Sequence, residues 1–196
     1  MSVEILFETH SISEDNERGI ATGWLPGRLS DRGRALARDL GSRHRDGGLA
    51  AVITSDLDRA IETAAIAFQG SGRAVRADPR LRECNYGELN GAPVGRLAPR
   101  ARFIATPFPG GESYRQVVER VADLVGELGP YEGQRVLLIG HSATRWALEH
   151  LLCGRALEAL VDAPFAWQPG WSYRTENRAG PCGPALVRSS KLARRY

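Results

Sequence analysis

Lysine is almost missing from this chain. Lys191 is the only one, and arginine supplies every other basic residue of a 196-residue sequence with a net charge of +3. Apart from the Arg194-Arg195 pair there is no dense basic run, so nucleic acid is not an expected partner. Cysteine is scarce. Cys84, Cys153 and Cys182 are odd in number and far apart, and neither a Cys-x-x-Cys pair nor a His-Glu-x-x-His stretch occurs. No metal is expected on that basis. Long apolar runs are absent as well: no stretch of about 18 residues could span a bilayer. No basic segment with an apolar run precedes the first strand pattern, so the cytoplasm is the expected compartment and no membrane partner is expected. Repeats and low-complexity linkers are also lacking. With 42% hydrophobic and 25% charged residues, the composition is globular and predicts a single domain over residues 1–196.

What is present is an alternation of strand-like and helix-like segments. Residues 3–9 read as a buried strand, followed by a loop from Gly19 to Arg28 punctuated by glycine and proline. Ser30 is placed to cap a helix through about His44, with Ala35, Leu36 and Leu40 on one face. Ala51–Thr54 is a second strand. Ser55 is expected to cap the next helix, with Asp58 at the capping-box position and Ile61, Ala64, Ala65 and Phe68 as its apolar stripe. A short strand near Ala74–Ala77 comes next. Pro79 to Pro109 is rich in proline, glycine and arginine with little periodicity, and reads as an excursion beside a sheet. A helix from about Glu112 to Leu128, a strand ending at His141 and a helix through Leu152 follow, with Ser142 as a cap. The tail carries Trp167, Trp171 and Tyr173, read as a final or edge strand. This order implies a three-layer α/β/α sandwich around a mainly parallel sheet.

Histidine is rare too, at four residues, yet two occupy equivalent positions. His10 closes Val3-Glu4-Ile5-Leu6-Phe7-Glu8-Thr9, and His141 closes Arg135-Val136-Leu137-Leu138-Ile139-Gly140. The C-termini of parallel strands share one edge, so residues distant in sequence can meet there. A strand-end histidine often just hydrogen-bonds a nearby loop, but a pair at one edge points to chemistry. Arg59 lies just inside the helix after the second strand, at that same edge. A guanidinium there can fork onto phosphate oxygens beside helix N-terminal amides; a surface ion pair is the commoner fate of a helical arginine. Glu83, in Leu81-Arg82-Glu83-Cys84-Asn85-Tyr86-Gly87, would alone be an ordinary surface carboxylate.

Taken together, these segments resemble the histidine phosphatase superfamily, the relatives of cofactor-dependent phosphoglycerate mutase, from the first strand to about Leu152. Family members begin Arg-His-Gly-(Glu/Gln)-(Thr/Ser)-x-x-Asn; here Thr9-His10-Ser11-Ile12-Ser13-Glu14-Asp15-Asn16 matches at His10, Ser13 and Asn16. Gly23-Trp24 before Leu29-Ser30-Asp31-Arg32-Gly33 matches the usual loop and helix start. Thr54-Ser55-Asp56-Leu57-Asp58-Arg59-Ala60-Ile61-Glu62-Thr63 is close to the most specific internal signature. Leu81-Arg82-Glu83 with Tyr86-Gly87 and Gly91 matches the acid loop. Pro109-Gly110-Gly111-Glu112-Ser113 and Gly140-His141 complete the set. The resemblance implies a phosphoglycerate mutase-like fold and a small phosphorylated substrate. His10 would be the nucleophile, Arg59 and His141 the phosphate binders, and Glu83 the acid and base. Neither metal nor cofactor is required, and a homodimer is compatible with it.

Two positions depart from that pattern: the family arginine is Thr9 and its glycine is Ser11. The arginine normally contacts the phosphate, and loss of one preorganised oxyanion donor costs on the order of 10²- to 10³-fold in rate. Arg145, four residues after His141, is the first candidate to replace its charge, against a salt bridge to Glu149; Arg18 and Arg28 are weaker ones. Ser11 still offers the backbone carbonyl that can hold the His10 tautomer. Cys84 stands where family mutases carry arginine, which favours a phosphatase over a mutase. The alternative is a catalytically impaired relative that binds a phosphorylated ligand or a protein. Gly140-His141-Ser142-Ala143-Thr144 also looks like a serine-hydrolase elbow, but no histidine follows Asp162, so that reading is set aside. The tryptophans and tyrosines do not identify the substrate.

Overall fold

The computed structural model describes residues 2–45, 47–164, 168–175 and 183–184. A six-stranded sheet is built from β1 (Glu4–Thr9), β3 (Leu49–Thr54), β4 (Val75–Ala77), β6 (Arg135–Gly140), β7 (Trp171–Arg174) and β8 (Gly183–Pro184), in the order β4-β3-β6-β1-β7-β8. The first four in that order are parallel; β7 runs antiparallel to β1, and β8 antiparallel to β7. Parallel strands covered on both faces need apolar residues at consecutive positions. Val136, Leu137, Leu138 and Ile139 of β6 are accordingly all buried completely.

Alternation along the strands sorts these side chains into two cores. Leu6, Leu137 and Ile139 face helices α2 (Asp31–His44) and α3 (Asp58–Phe68), meeting Leu40, Ala64 and Phe68. Ile5, Phe7, Val136 and Leu138 face α4 (Tyr114–Gly126) and α5 (Ser142–Cys153), meeting Val121, Leu124, Ala147 and Leu148. The expected α/β sandwich with a mainly parallel sheet is therefore the observed one.

Helix starts follow the sequence at some points and not at others. Ser30 caps α2 through Gly33 N–H at 3.1 Å. Ser113 and Gln116 form a full capping box at α4. Ser55 does not cap α3: its hydroxyl accepts from Leu57 N–H at 3.3 Å in the preceding turn, and the helix starts at Asp58 with Leu57 as a cap lacking a side-chain bond. Ser142 is likewise the first helical residue of α5, and His141 occupies the cap position. Trp171 and Tyr173 lie in β7 beside β1, whereas Trp167 lies outside the described residues.

The excursion contains short 3-10 turns and one two-residue strand, β5 (Ala92–Pro93), which pairs with β2 (Ile20–Ala21). Its two ends are clasped together. Glu88 N–H donates to Pro109 O at 2.9 Å and Glu112 N–H to Asn85 O at 2.8 Å. A Cβ on Gly87 would sit 2.0 Å from Pro109 O, and one on Gly111 2.2 Å from Asn85 O, so both must be glycine. Among the described residues no helix is long and apolar enough to cross a membrane.

Candidate active site

Strand register brings the two histidines together. Thr9 pairs with Gly140 across β1 and β6, so the residue after each leaves the sheet beside the other. His10 N–H donates to Gly140 O at 2.8 Å, and the imidazole centroids are 4.9 Å apart with planes tilted by 52°. The first turn of α3 places Arg59, which is 3% exposed, between them. Its Nε donates to His10 Nε2 at 3.3 Å, and its Nη2 to His141 Nδ1 at 3.3 Å and Gly23 O at 2.8 Å. Gly23 has φ +55 and lies so close to Asn90 that a Cβ would be 1.7 Å from Oδ1, so that carbonyl is held by a residue that must be glycine.

These contacts fix the proton positions of the neutral imidazoles. His10 Nδ1 donates to Ser11 O at 2.7 Å, which leaves the Nε2 lone pair toward Arg59. His141 accepts at Nδ1, so its neutral form carries the proton on Nε2. Burial, then the Arg59 charge, pulls His10 down to about 3 against the opposing Ser11 carbonyl. Burial, Arg59 and His10 hold His141 well below the usual imidazole range. Burial also lowers the Arg59 guanidinium, opposed chiefly by the Glu83 charge. Both imidazoles are thus neutral near pH 7, the form a nitrogen nucleophile needs.

Arg59 Nη1 and His141 Nε2 are buried here without a hydrogen-bond partner among the described residues. Buried donors are normally satisfied. Their presence beside a neutral imidazole nitrogen makes a cradle for a tetrahedral oxyanion.

Glu83 reaches the same place from the start of the excursion. Its Oε1 accepts from Cys84 N–H at 2.8 Å and from Ala143 N–H, in the first turn of α5, at 3.1 Å. That satisfies one of the helix's otherwise orphaned amides and leaves Oε2 to handle a proton. The Glu83 carbonyl is pinned by Trp24 Nε1 at 2.7 Å and Arg120 Nη2 at 3.0 Å. Arg120 is itself paired with Glu112 at 3.0 Å. His10, Arg59 and Glu83 line one cavity of about 660 Å³, with Thr9, Ser11 and Asn16 also on its wall; His141 is fully buried and joined to it through Arg59 Nη2.

The model for the histidine phosphatase superfamily (branch 1) matches residues 5–169. This chain belongs to the histidine phosphatase superfamily. It is 33% identical over 175 residues to the 2,3-bisphosphoglycerate-dependent phosphoglycerate mutase of Methylobacterium sp. (strain 4-46), covering 80% of this chain and 83% of that one. Its fold is similar to the native structure of mycobacterial glucosyl-3-phosphoglycerate phosphatase, with TM-score 0.71 and 28% identity over 82% of this chain and 84% of that one. The α-ribazole phosphatase of Shigella flexneri shares the fold, with TM-score 0.72 at 22% identity over 91% and 98% of the two chains.

Other residues singled out from the family motif do different things. Ser13 and Asn16 form the capping box of α1 (Glu14–Arg18), with Asn16 N–H donating to Ser13 Oγ at 3.1 Å and Ser13 N–H to Asn16 Oδ1 at 3.0 Å. Ser11 N–H donates to Thr63 Oγ1 at 3.0 Å, and Thr63 Oγ1 donates to Arg59 O at 2.7 Å, tying the segment after His10 to α3. The structure does not bring Arg145 to the cavity. It lies 3.6 Å from Glu149 Oε1, with its guanidinium carbon 4.9 Å from the Trp171 ring centroid. Arg18 pairs with Asp15, and Arg28 with Glu14 at 2.8 Å. The arginines lining the cavity besides Arg59 are Arg32, Arg43 and Arg100; of these, Arg43 is bound to buried Glu8 at 3.0 Å. The positioning contacts of Thr63 and Arg120 were not read from the sequence. Thr63 had a signal, four residues after Arg59 on one helix face; Arg120 reaches the Glu83 carbonyl across 37 residues. Among the described residues no group of three His, Cys, Asp or Glu side chains is arranged to hold a metal.

Proposed function

We propose that this chain is a phosphoric monoester hydrolase acting on a small phosphorylated metabolite through a phosphohistidine on His10. The observation that carries the reading is Arg59 spanning both neutral imidazoles while its Nη1 and His141 Nε2 keep unused donors. In the first step His10 Nε2 attacks phosphorus in line, the ester P–O bond breaks, and Glu83 gives its proton to the leaving oxygen. Arg59 and His141 take the equatorial oxygens, where charge accumulates. In the second step water attacks phosphorus, Glu83 accepts its proton, and the N–P bond breaks to release phosphate and free His10.

Hydrolysis is favoured over mutase chemistry because Cys84 follows Glu83 where family mutases carry arginine. Single-domain organisation over residues 1–196, metal-free action and cytoplasmic location belong to the same reading. A panel of phosphorylated metabolites assayed against His10→Ala as blank tests it, with rapid acid-free quenching of ³²P-labelled substrate to trap the phosphohistidine. Thr9 favours one other reading, a relative that binds phosphorylated ligands without turning them over. Tight, saturable orthovanadate binding with neither turnover nor trapped phosphohistidine would select it.

A further inference from the structure

The direction of the Glu83 carboxylate rests on one peptide group. Cys84 N–H, which donates to Glu83 Oε1 at 2.8 Å, and the Glu83 carbonyl belong to the same planar trans unit. In such a unit N–H and C=O point to opposite sides. Whatever grips the carbonyl from behind therefore aims the amide in front, and with it the carboxylate.

Most of that grip comes from α4. Arg120 Nη2 donates to Glu83 O at 3.0 Å and Nη1 to Arg80 O at 2.7 Å, so one guanidinium holds both ends of the turn before the acid. Its Nε reaches Glu112 Oε1 at 3.0 Å and its Nη2 reaches Glu112 Oε2 at 3.1 Å, a two-point pairing that fixes the plane of the fork. Glu112 Oε2 also accepts Asn85 N–H at 2.9 Å, on the other side of Glu83. Arg120 and Glu112 thus fasten residues 80, 83 and 85 to α4 and its entry. Their side chains are 16% and 18% exposed, so water competes little for these bonds. The indole of Trp24 supplies the second contact to the Glu83 carbonyl. A plane held at that contact alone can swing about it.

We infer that Arg120 is a positioning residue for the acid step, directing the Glu83 carboxylate at the leaving oxygen through the Glu83–Cys84 peptide plane. This rests on the proposed hydrolase reading and adds a residue on which that reading's proton transfer depends. Arg120 does not line the cavity, so its contribution is orientation.

Leaving groups that differ in their need for a proton read this orientation. Dinitrophenolate departs without one, whereas phenol departs with one, so only the second calls on the acid. In Arg120→Gln, kcat/KM, which covers P–O cleavage, should fall about tenfold or more for phenyl phosphate and less than about threefold for 2,4-dinitrophenyl phosphate. Arg120→Lys should recover part of the phenyl phosphate rate. If Arg120→Gln does not fold, Glu112→Gln, which frees the guanidinium, is read in the same way. An equal loss on both substrates marks a merely structural role and overturns the inference. Amide hydrogen exchange reads the orientation without chemistry. Exchange at Cys84 N–H and Ala143 N–H, the two amides on Glu83 Oε1, should quicken about tenfold or more in Arg120→Gln, with Ser11 N–H, held by Thr63, unchanged. That pattern supports the positioning role even if no substrate turns over and the hydrolase reading fails. Unchanged protection at Cys84 and Ala143, in a variant whose thermal unfolding is cooperative, overturns it.

Discussion

At the scale of single residues, the two neutral histidines couple stability to pH. His10 has a folded value near 3 against its ordinary 6.5, and His141 is shifted in the same direction. Between those values the unfolded chain binds protons that the folded chain refuses. Their contribution is therefore intact above about pH 6.5 and is lost as pH falls toward 3. Stability should therefore fall with pH below about 6.5 through both histidines, and through His10 down to about pH 3. Urea unfolding between pH 7 and 4 should show the loss, and His10→Asn should flatten the slope; an unchanged slope would contradict it. Thr9 gives a second prediction. Thr9→Arg puts a guanidinium back on the cavity wall and should raise kcat/KM about tenfold or more, within the range for one oxyanion donor. Arg145 gives a third. Held by Glu149 and Trp171, it should cost about 1 kcal/mol of stability on replacement by Ala and change kcat/KM by less than twofold. A large kinetic effect would return it to the phosphate site.

At the scale of elements, close packing fixes where α2 can lie. A Cβ on Gly33 would come 1.9 Å from Ile12 O, and one on Gly41 2.2 Å from Ala67 O. The first glycine presses α2 onto the segment that follows His10; the second presses it onto α3, which carries Arg59. Gly33→Ala and Gly41→Ala should each destabilise by about 1–3 kcal/mol, read as a lower denaturant midpoint with unchanged slope. Only Gly33→Ala should also raise KM, because it displaces Ile12 and with it the segment after His10. The elements themselves were largely legible in the sequence. Consecutive apolar residues ending in His10 and His141 predicted two buried strands with histidines at one edge, and the structure makes those strands neighbours. The stretch around Arg59 was recognisable because its contacts are local. Arg145 was ambiguous because i,i+4 pairing and a turn toward the cavity fit the same spacing. Burial of Ala143, Trp146 and Ala147 sets the rotation of α5 and decides its direction. Arg120 was invisible, since it reaches the Glu83 carbonyl across 37 residues of sequence.

At the scale of the whole molecule, two layers of core hold one working edge. The sheet is pinned where β6 lies between β3 and β1, and its buried leucines anchor both helical layers. Leu138→Ala should cost about 2–5 kcal/mol and lower the unfolding midpoint without altering the pH profile of turnover. If guanidinium and imidazole groups carry the electrostatics of catalysis, turnover after dialysis against EDTA should equal that before it; a loss restored by a divalent cation would require a different mechanism. The clasp made by Gly87 and Gly111 has a broader consequence. It ties the two flanks of the excursion to each other, while inside it Ile104 O accepts from Arg115 N–H of α4 at 2.9 Å and Leu97, Phe103 and Ile104 pack into the main core. The wall of the cavity and the scaffold that carries Glu83 are thus one packed unit. Exchanging residues 91–107 for the corresponding stretch of a relative should therefore lower the unfolding midpoint as well as reshape the cavity.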